Sequence, residues 1–314
     1  MLRVEELPTR LVLAKMRNDW DEFESATAYP GNASVYGDYY ASELLSRPLF
    51  LEAYDGTTKV AQWLLYLRRT PQSRFRLIAG AFCGPQLRKE TSLPYEEVFA
   101  PFVAHVLNKH RPSNFHLLSY ALVRGVSETA LRQSRFSIIE EYYSYVNRLT
   151  NDPGLIEQFG STRRYELRKA LKAGYEYRIG IPVGDYHDLS VISYRRSGMR
   201  GPLYRTLKRI DRCLVAQGLA FLSGVYVEDK LNAASIIVHR GTTAYYLYGA
   251  SADNKAPGAT TYLQYENMRH ARGLGLAQYD FGGARLIHDK ARSLSEFKRQ
   301  FGGECITCYG GVYR

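Results

Sequence analysis

Three short segments near the C-terminal end carry side chains able to do chemistry: TAYYLYGAS (243–251), AQYDFGG (277–283) and SLSEFKRQFGG (293–303). Simple strand alternation puts Tyr246 and Tyr248 on one face. Their hydroxyls bond a substrate if that face lines a cleft, and pack if it meets the core. Tyr248, beside Gly249-Ala250-Ser251 where the strand end opens, is the stronger substrate contact of the two. Asp280 has the strand-end position of a general base, but the Gly282-Gly283 turn that follows gives it backbone donors to satisfy, which is the role expected of it. An ammonium such as that of Lys298 can stabilise negative charge developing on a carbonyl oxygen. By periodicity alone, however, Lys298 is a solvated helix lysine like its neighbour Arg299.

The basic residues group as well. Arg164, Arg168 and Lys172 recur at i, i+4 and i+8, a stripe opposite Leu167 and Leu171. With Arg163 and Lys169 nearby, the stripe suits a polyphosphate backbone such as tRNA, read without regard to sequence. A plain solvated face is the competing reading. Arg195, Arg196 and Arg200 flank Ser197-Gly198 in a loop, where guanidinium groups could hold a phosphate bidentately. The whole chain, 314 residues with a net charge of +11, favours a polyanionic partner: nucleic acid, a nucleotide-linked substrate or an anionic membrane surface.

Other chemistries find little support. Cys305 and Cys308 lack the second ligand pair of a zinc site, and on a terminal strand they point to opposite faces, so packing is expected of them. No nucleophile-elbow motif supports Ser-His-Asp hydrolysis. Arg272-Gly273-Leu274-Gly275-Leu276-Ala277 has the letters of a pyrophosphate-binding loop but follows a helix and precedes a strand, so no helix N-terminus is available to it. At the strand-to-helix junction the chain reads SADNKAPGATT, without the arginine and its spacing.

The elements that position these residues follow from turn and capping signals. In the first half, helices are expected over Trp20 to Ala28 and Tyr39 to Leu45, and a hairpin around Asp55-Gly56. A strand through RFRLIAGAFCGP, an amphipathic helix LPYEEVFAPFVAHVLNKHR, a strand FHLLSYALV, a short helix ETALRQSRF and a strand SIIEEYYSYVNRL come next. In the second half, Ser161 caps a helix that stops at Gly174. Then come a strand at YEYRIG, helices near DYHDLSVISYRR and LYRTLKRIDRCLVAQG, and a hairpin turning at Glu228-Asp229-Lys230. The Tyr strand, helix 259–272, strand 277–281, helix 293–300 and strand 304–313 complete it. Each half reads as helices, a strand meander, then helix–strand–helix–strand: an α+β chain with mixed sheets. No apolar stretch reaches the roughly 20 residues of a membrane helix, and the N-terminus does not read as a signal peptide. A cytoplasmic protein with no integral membrane segment is expected.

The run YxYGAS…P…L…E…A…G…YDFGG…FKxxFGG resembles the second domain of the FemAB/FemX peptidoglycan-bridge aminoacyltransferases. STRRYELRKALKAGYEYR resembles the basic helix opening that domain, and GAFCGPQL resembles the Gly-Pro element of the first. The resemblance covers most of residues 150–314 and reaches residues 20–150 by pattern only. It implies two GNAT-like domains, 1–150 and 151–314, each a mixed, mainly antiparallel sheet flanked by helices, with the last strand a candidate to pack with the first domain. It implies transfer of an amino acid from aminoacyl-tRNA to an amine of a peptide or nucleotide-linked cell-wall precursor, or of a peptide-type antibiotic, with no metal and no cofactor. Lys298 matches the lysine given the charge-stabilising role, supported by Tyr248. Arg196, with Arg200, matches the arginine region that holds the substrate's diphosphate, beside Tyr246. NFHLLSYALV has no carboxylate where the family's first domain supplies an acid, so acceptor recognition is expected to differ. An acyl-CoA-dependent N-acyltransferase of the cell envelope and a non-catalytic RNA-binding module are the alternatives.

Overall fold

The computed structural model describes residues 2–23, 34–37, 46–69, 77–81, 83–117, 126–284 and 289–314. The helix expected over Tyr39 to Leu45, most of the strand end FHLLSYALV and the far end of the helix at Trp20 to Ala28 lie outside them. The chain forms two compact units, one of residues 1–142 and 307–314, the other of 143–306.

In the first unit, strand β1 (Arg3–Leu7) leads through short helices α1 (Thr9–Ala14) and α2 (Arg17–Asp21) to β2 (Arg47–Asp55) and β3 (Thr58–Arg69). The β2–β3 hairpin turns at Gly56, whose φ of +58° suits a residue without a Cβ. β4 (Leu77–Ala81), β5 (Gln86–Leu87) and β6 (Asn114–Leu117) follow, with helix α3 (Tyr95–His110) between the last two. Helix α4 (Glu128–Gln133) is capped by Ser127, whose Oγ accepts from the Ala130 N–H at 3.0 Å. β7 (Ile138–Arg148) leads out of this unit, and the end of β13 (Glu304–Tyr313) returns to pair antiparallel with β6. β1 was not anticipated: RVEEL is short and polar, and its pairing with β2 is a tertiary event.

In the second unit the sheet runs β7, β12 (Gln278–Ala284), β11 (Thr243–Ser251), β10 (Lys230–Arg240), β9 (Ala220–Val227), β8 (Glu176–Ile179). All neighbours are antiparallel except β11 with β12. The helices are α5 (Asp152–Glu157), α6 (Ser161–Ala173), α7 (Val183–Arg196), α8 (Tyr204–Cys213), α9 (Ala259–Gly273) and α10 (Asp289–Arg299). Helix α6 stops at Gly174, with φ of +68°, as the sequence indicated, but its N-cap is Gly160 rather than Ser161. Leu167 is buried whereas Leu171 is 49% exposed, so Ala170 and not Leu171 completes the inner face of α6.

The C-terminal glycines have a packing cause. Gly302 and Gly303 both have positive φ, and a Cβ on either would overlap the backbone of Gln158 or Val146. The Phe301 carbonyl accepts from Asn147 Nδ2 at 2.8 Å, which fixes the same approach. Phe301 stacks on Phe281 at 4.8 Å and meets Phe159 edge-on at 5.2 Å. The FGG motif is thus a packing device joining α10 to β13.

Candidate active site

Lys298 sits on α10 but is not solvated. Only 5% exposed, it donates from Nζ to the carbonyl oxygens of Gly282 at 3.1 Å and Gly283 at 2.9 Å. Burial pulls the ammonium down to about 8, and the nearby Asp280 carboxylate opposes that shift. Asp280 is itself buried, accepting from Ser144 Oγ and, at 2.9 Å, from the Gly282 N–H. The YDFGG turn is therefore held at both polarities: its carbonyls by an ammonium, its N–H by a carboxylate. This occupies Asp280 with the turn, as its sequence context indicated.

The tyrosines do not share a face. The β10–β11 register slips so that Tyr248 lies opposite Ile236 and Tyr246 opposite Ile237. Leu247 is left over as a bulge. Adjacent residues Ile236 and Ile237 point to opposite faces, and so must their partners. Tyr246 packs edge-on against Phe281 at 6.2 Å, and its hydroxyl lies where a Cβ on Gly249 would stand. Burial raises its phenol well above the ordinary value. Tyr248 lies near Tyr186 and Tyr194, as Tyr246 also does, and burial pushes the Tyr194 phenol up to about 12. Tyr186 is fully buried, and its hydroxyl has no hydrogen-bond partner among the described residues.

The arginines divide. Arg196 is committed to the loop after β11, donating to the Ala252 carbonyl at 2.8 Å, Asp253 Oδ1 at 2.9 Å and Ser251 Oγ at 2.9 Å. Arg200 is exposed. Arg164, Arg168 and Lys172 are all exposed on α6, one continuous basic face.

The same helix contributes to a feature the sequence did not reveal. A cleft of about 560 Å³ opens among α6, the loop before α9, the start of α9 and α10. Arg163, Lys169 and Lys255 bring positive charge to it, and Glu166, Glu296 and Phe297 also line it. Arg163 is anchored by Glu166 and Thr261 and lies over the Phe297 ring at 4.7 Å. Burial, with Arg196 and Arg163 nearby, lowers the Lys255 amine, while Glu166 opposes the shift. Gly258 is the N-cap of the 15-residue α9, and a Cβ there would stand 2.6 Å from the Glu166 carbonyl oxygen, so only glycine lets α6 approach the helix start this closely. Helix N-termini and cations both favour anions. Lys298 is one residue beyond cleft-lining Phe297, turned toward β12. The signal that could have found the cleft was SADNKAPGATT, which offers Lys255 just before a helix start.

The FemAB family model matches residues 222–313, which contain β11, the YDFGG turn and Lys298. Over these residues the chain is similar to the FemAB family. Over 84 residues the chain is 36% identical to the Lipid II:glycine glycyltransferase of Staphylococcus haemolyticus, a match covering 26% of this chain and 19% of that protein. The matched stretch thus spans about a fifth of the curated relative. The fold extends further than the FemAB match. A crystal structure of FemX superposes with a TM-score of 0.74 at 14% identity, covering 99% of this chain and 97% of that one. A tandem GNAT protein from the clavulanic acid biosynthesis pathway gives 0.56 at 12% identity over 99% and 98% of the two chains. The chain therefore has the α+β, two-GNAT-domain fold that its FemAB motifs implied. Among the described residues, no helix is long and apolar enough to cross a membrane.

Proposed function

We propose that this chain is a FemAB-type aminoacyltransferase, moving an amino acid from aminoacyl-tRNA to an amine of a peptide-like acceptor such as a cell-wall precursor. The observation that carries the reading is the buried Lys298 ammonium on the Gly282–Gly283 turn, inside the segment that matches the FemAB family. In the reaction, the neutral acceptor amine attacks the ester carbonyl, the C–N bond forms, the C–O bond to the ribose breaks, and the ribose hydroxyl leaves with a proton. An ammonium has three N–H bonds. Two go to the carbonyls, and in this proposal the third donates to the developing oxyanion. Tyr248 supports the reacting ester.

Donor binding falls to the α6–α9–α10 cleft, with phosphates held by Arg163, Lys255 and the α9 N-terminus. Arg164, Arg168 and Lys172 continue that charge along the tRNA stem. Tyr246, Arg196 and Arg200 belong to acceptor recognition, Tyr246 by shaping the middle of β11, Arg196 by holding its C-terminal end and Arg200 as an exposed guanidinium. The test is incubation with radiolabelled aminoacyl-tRNAs and a muropeptide or lipid-linked precursor. RNase-sensitive transfer of label is expected, and no such transfer with any aminoacyl-tRNA would sink the proposal. A second reading, an acyl-CoA donor, draws on the helix N-terminus at the cleft, which suits a pyrophosphate. Saturable acetyl-CoA binding by calorimetry would favour it.

A further inference from the structure

Ten large apolar side chains stand exposed among the described residues, and four of them, Val191, Met199, Leu203 and Tyr204, fall within fourteen consecutive positions. Met199 is 51% exposed, Leu203 55% and Tyr204 45%. Met199 and Leu203 share one short loop, and Leu203 is next to Tyr204. The His187 ring meets the Tyr204 ring at 5.2 Å, and His187, Val191 and Arg195 recur at i, i+4 and i+8 along α7. Tyr204 therefore stands beside the exposed line of α7 that carries Val191.

The loop holding Met199 and Leu203 is tied at its base. The Gly198 N–H donates to the Arg195 carbonyl at 2.9 Å, and the Met199 N–H to the Tyr194 carbonyl at 3.0 Å. Gly201 lies against the Tyr194 ring, where a Cβ would come within 3.2 Å. The loop is thus fastened to α7 while its apolar side chains point into water, an arrangement that no packing within the described chain rewards.

The surrounding charge is mostly of one sign, the exposed Asp188 beside His187 being an exception on α7. Residues 191–212 contain seven Lys and Arg and a single acid, Asp211. Arg205 is exposed, and Lys208 lies over the Tyr204 ring at 5.7 Å. A basic rim around protruding Met, Leu and Tyr side chains is complementary to one kind of surface: anionic headgroups above hydrocarbon. RNA would satisfy the charges but offer Met199 and Leu203 nothing.

We propose that loop 197–203 and the adjoining exposed faces of α7 and α8 form a docking surface for an anionic membrane, with Met199, Leu203 and Tyr204 entering the headgroup–acyl boundary and Arg195, Arg205 and Lys208 holding lipid phosphates. The loop also carries Arg200, assigned above to acceptor recognition, but membrane docking does not rest on the acyl-transfer reading. Its physical consequence is that this face alone can hold the described residues at a bilayer.

The test is co-sedimentation of the full chain with phosphatidylcholine vesicles, with and without roughly a third phosphatidylglycerol. Binding to the phosphatidylglycerol vesicles is expected, weakening with salt. The double variant Met199→Asp/Leu203→Asp should bind those vesicles at least about tenfold more weakly. It should keep close to the wild-type melting temperature, since both changed side chains are more than half exposed. Arg205→Glu/Lys208→Glu should weaken binding and flatten the salt dependence. No binding by the wild type, or undiminished binding by the Met199/Leu203 variant, overturns the proposal. So does a variant that loses affinity for a hairpin RNA in a gel shift while keeping its affinity for vesicles.

Discussion

The two units bury different things behind similar sheets. The first unit's core is aromatic: Trp63 is surrounded by Phe99 at 5.5 Å, Phe102 at 5.8 Å and Phe115 at 5.8 Å. Its single indole N–H is satisfied by the Cys83 carbonyl at 2.6 Å. The second unit threads polar side chains through its interior. Asn267 on α9 donates to Ser235 Oγ at 2.8 Å and accepts from Ser223 Oγ at 2.6 Å, Tyr279 donates to Gln264 at 2.7 Å, and Lys298 and Asp280 share the YDFGG turn. A buried polar group is stable only with its partners in place. The first unit has a smaller polar cluster of its own, Gln62 donating to the Trp20 carbonyl at 2.9 Å and to Gln86 Oε1 at 3.2 Å, but among the described residues only the second unit buries an ammonium, Lys298. The comparison teaches where to look for chemistry: in the core that tolerates an ammonium.

Three experiments bear on that contrast. The largest effect is expected from Trp63→Ala, which removes the centre of the aromatic cluster and should cost about 3–5 kcal/mol by urea denaturation. A cost below about 1 kcal/mol would mean the first unit is not organised around that ring.

Lys298→Met comes next. It should slow transfer by about 10²–10³-fold, the size expected for losing one oxyanion donor. Its pH behaviour has a defined sign. The Lys298 ammonium is pulled from 10.5 to about 8 in the folded chain, so its charge is unfavourable there and the penalty is full below pH 8. As pH rises from 8 toward 10.5 the penalty is relieved, and the wild type should gain stability relative to Lys298→Met across that window. Over the same range an ammonium acting as a donor is lost, so wild-type transfer should fall above about pH 8. A wild-type profile flat through that region would assign Lys298 to holding the turn alone.

The smallest effect is expected from Asn267→Leu. Ser223 and Ser235 still bond each other at 2.8 Å while the Tyr177 hydroxyl loses its acceptor, so the loss should be about 1–3 kcal/mol in thermal or urea unfolding. A neutral result would make the polar seam of the second unit no more exacting than an apolar one.

Much of the second unit was legible residue by residue. Gly174 stops α6 and Glu228 and Asp229 adopt the positive φ of a tight hairpin turn, while the last strand, which runs on into the first unit, spans 304–313 as expected. These features are set within a few positions of chain, by caps, turn conformations and alternation. The pairing of Tyr246 with Tyr248 on one face failed because the bulge at Leu247 depends on β10, not on β11. The α6 stripe was legible as charge, but the exposure of Leu171 was not, because which flank of the helix meets α9 is a packing outcome.

The sequence by itself determined the order of elements, the basic balance and the FemAB motif series, since each is written in short-range spacing. Only the tertiary structure decided that Lys298 is buried rather than solvated, because its two acceptor carbonyls lie 16 and 15 residues away on another element. It likewise decided that Lys255, Arg163 and the start of α9 line one cleft, since helices distant in sequence meet there. Local periodicity fixes which face a residue occupies, but only long-range packing fixes what that face meets.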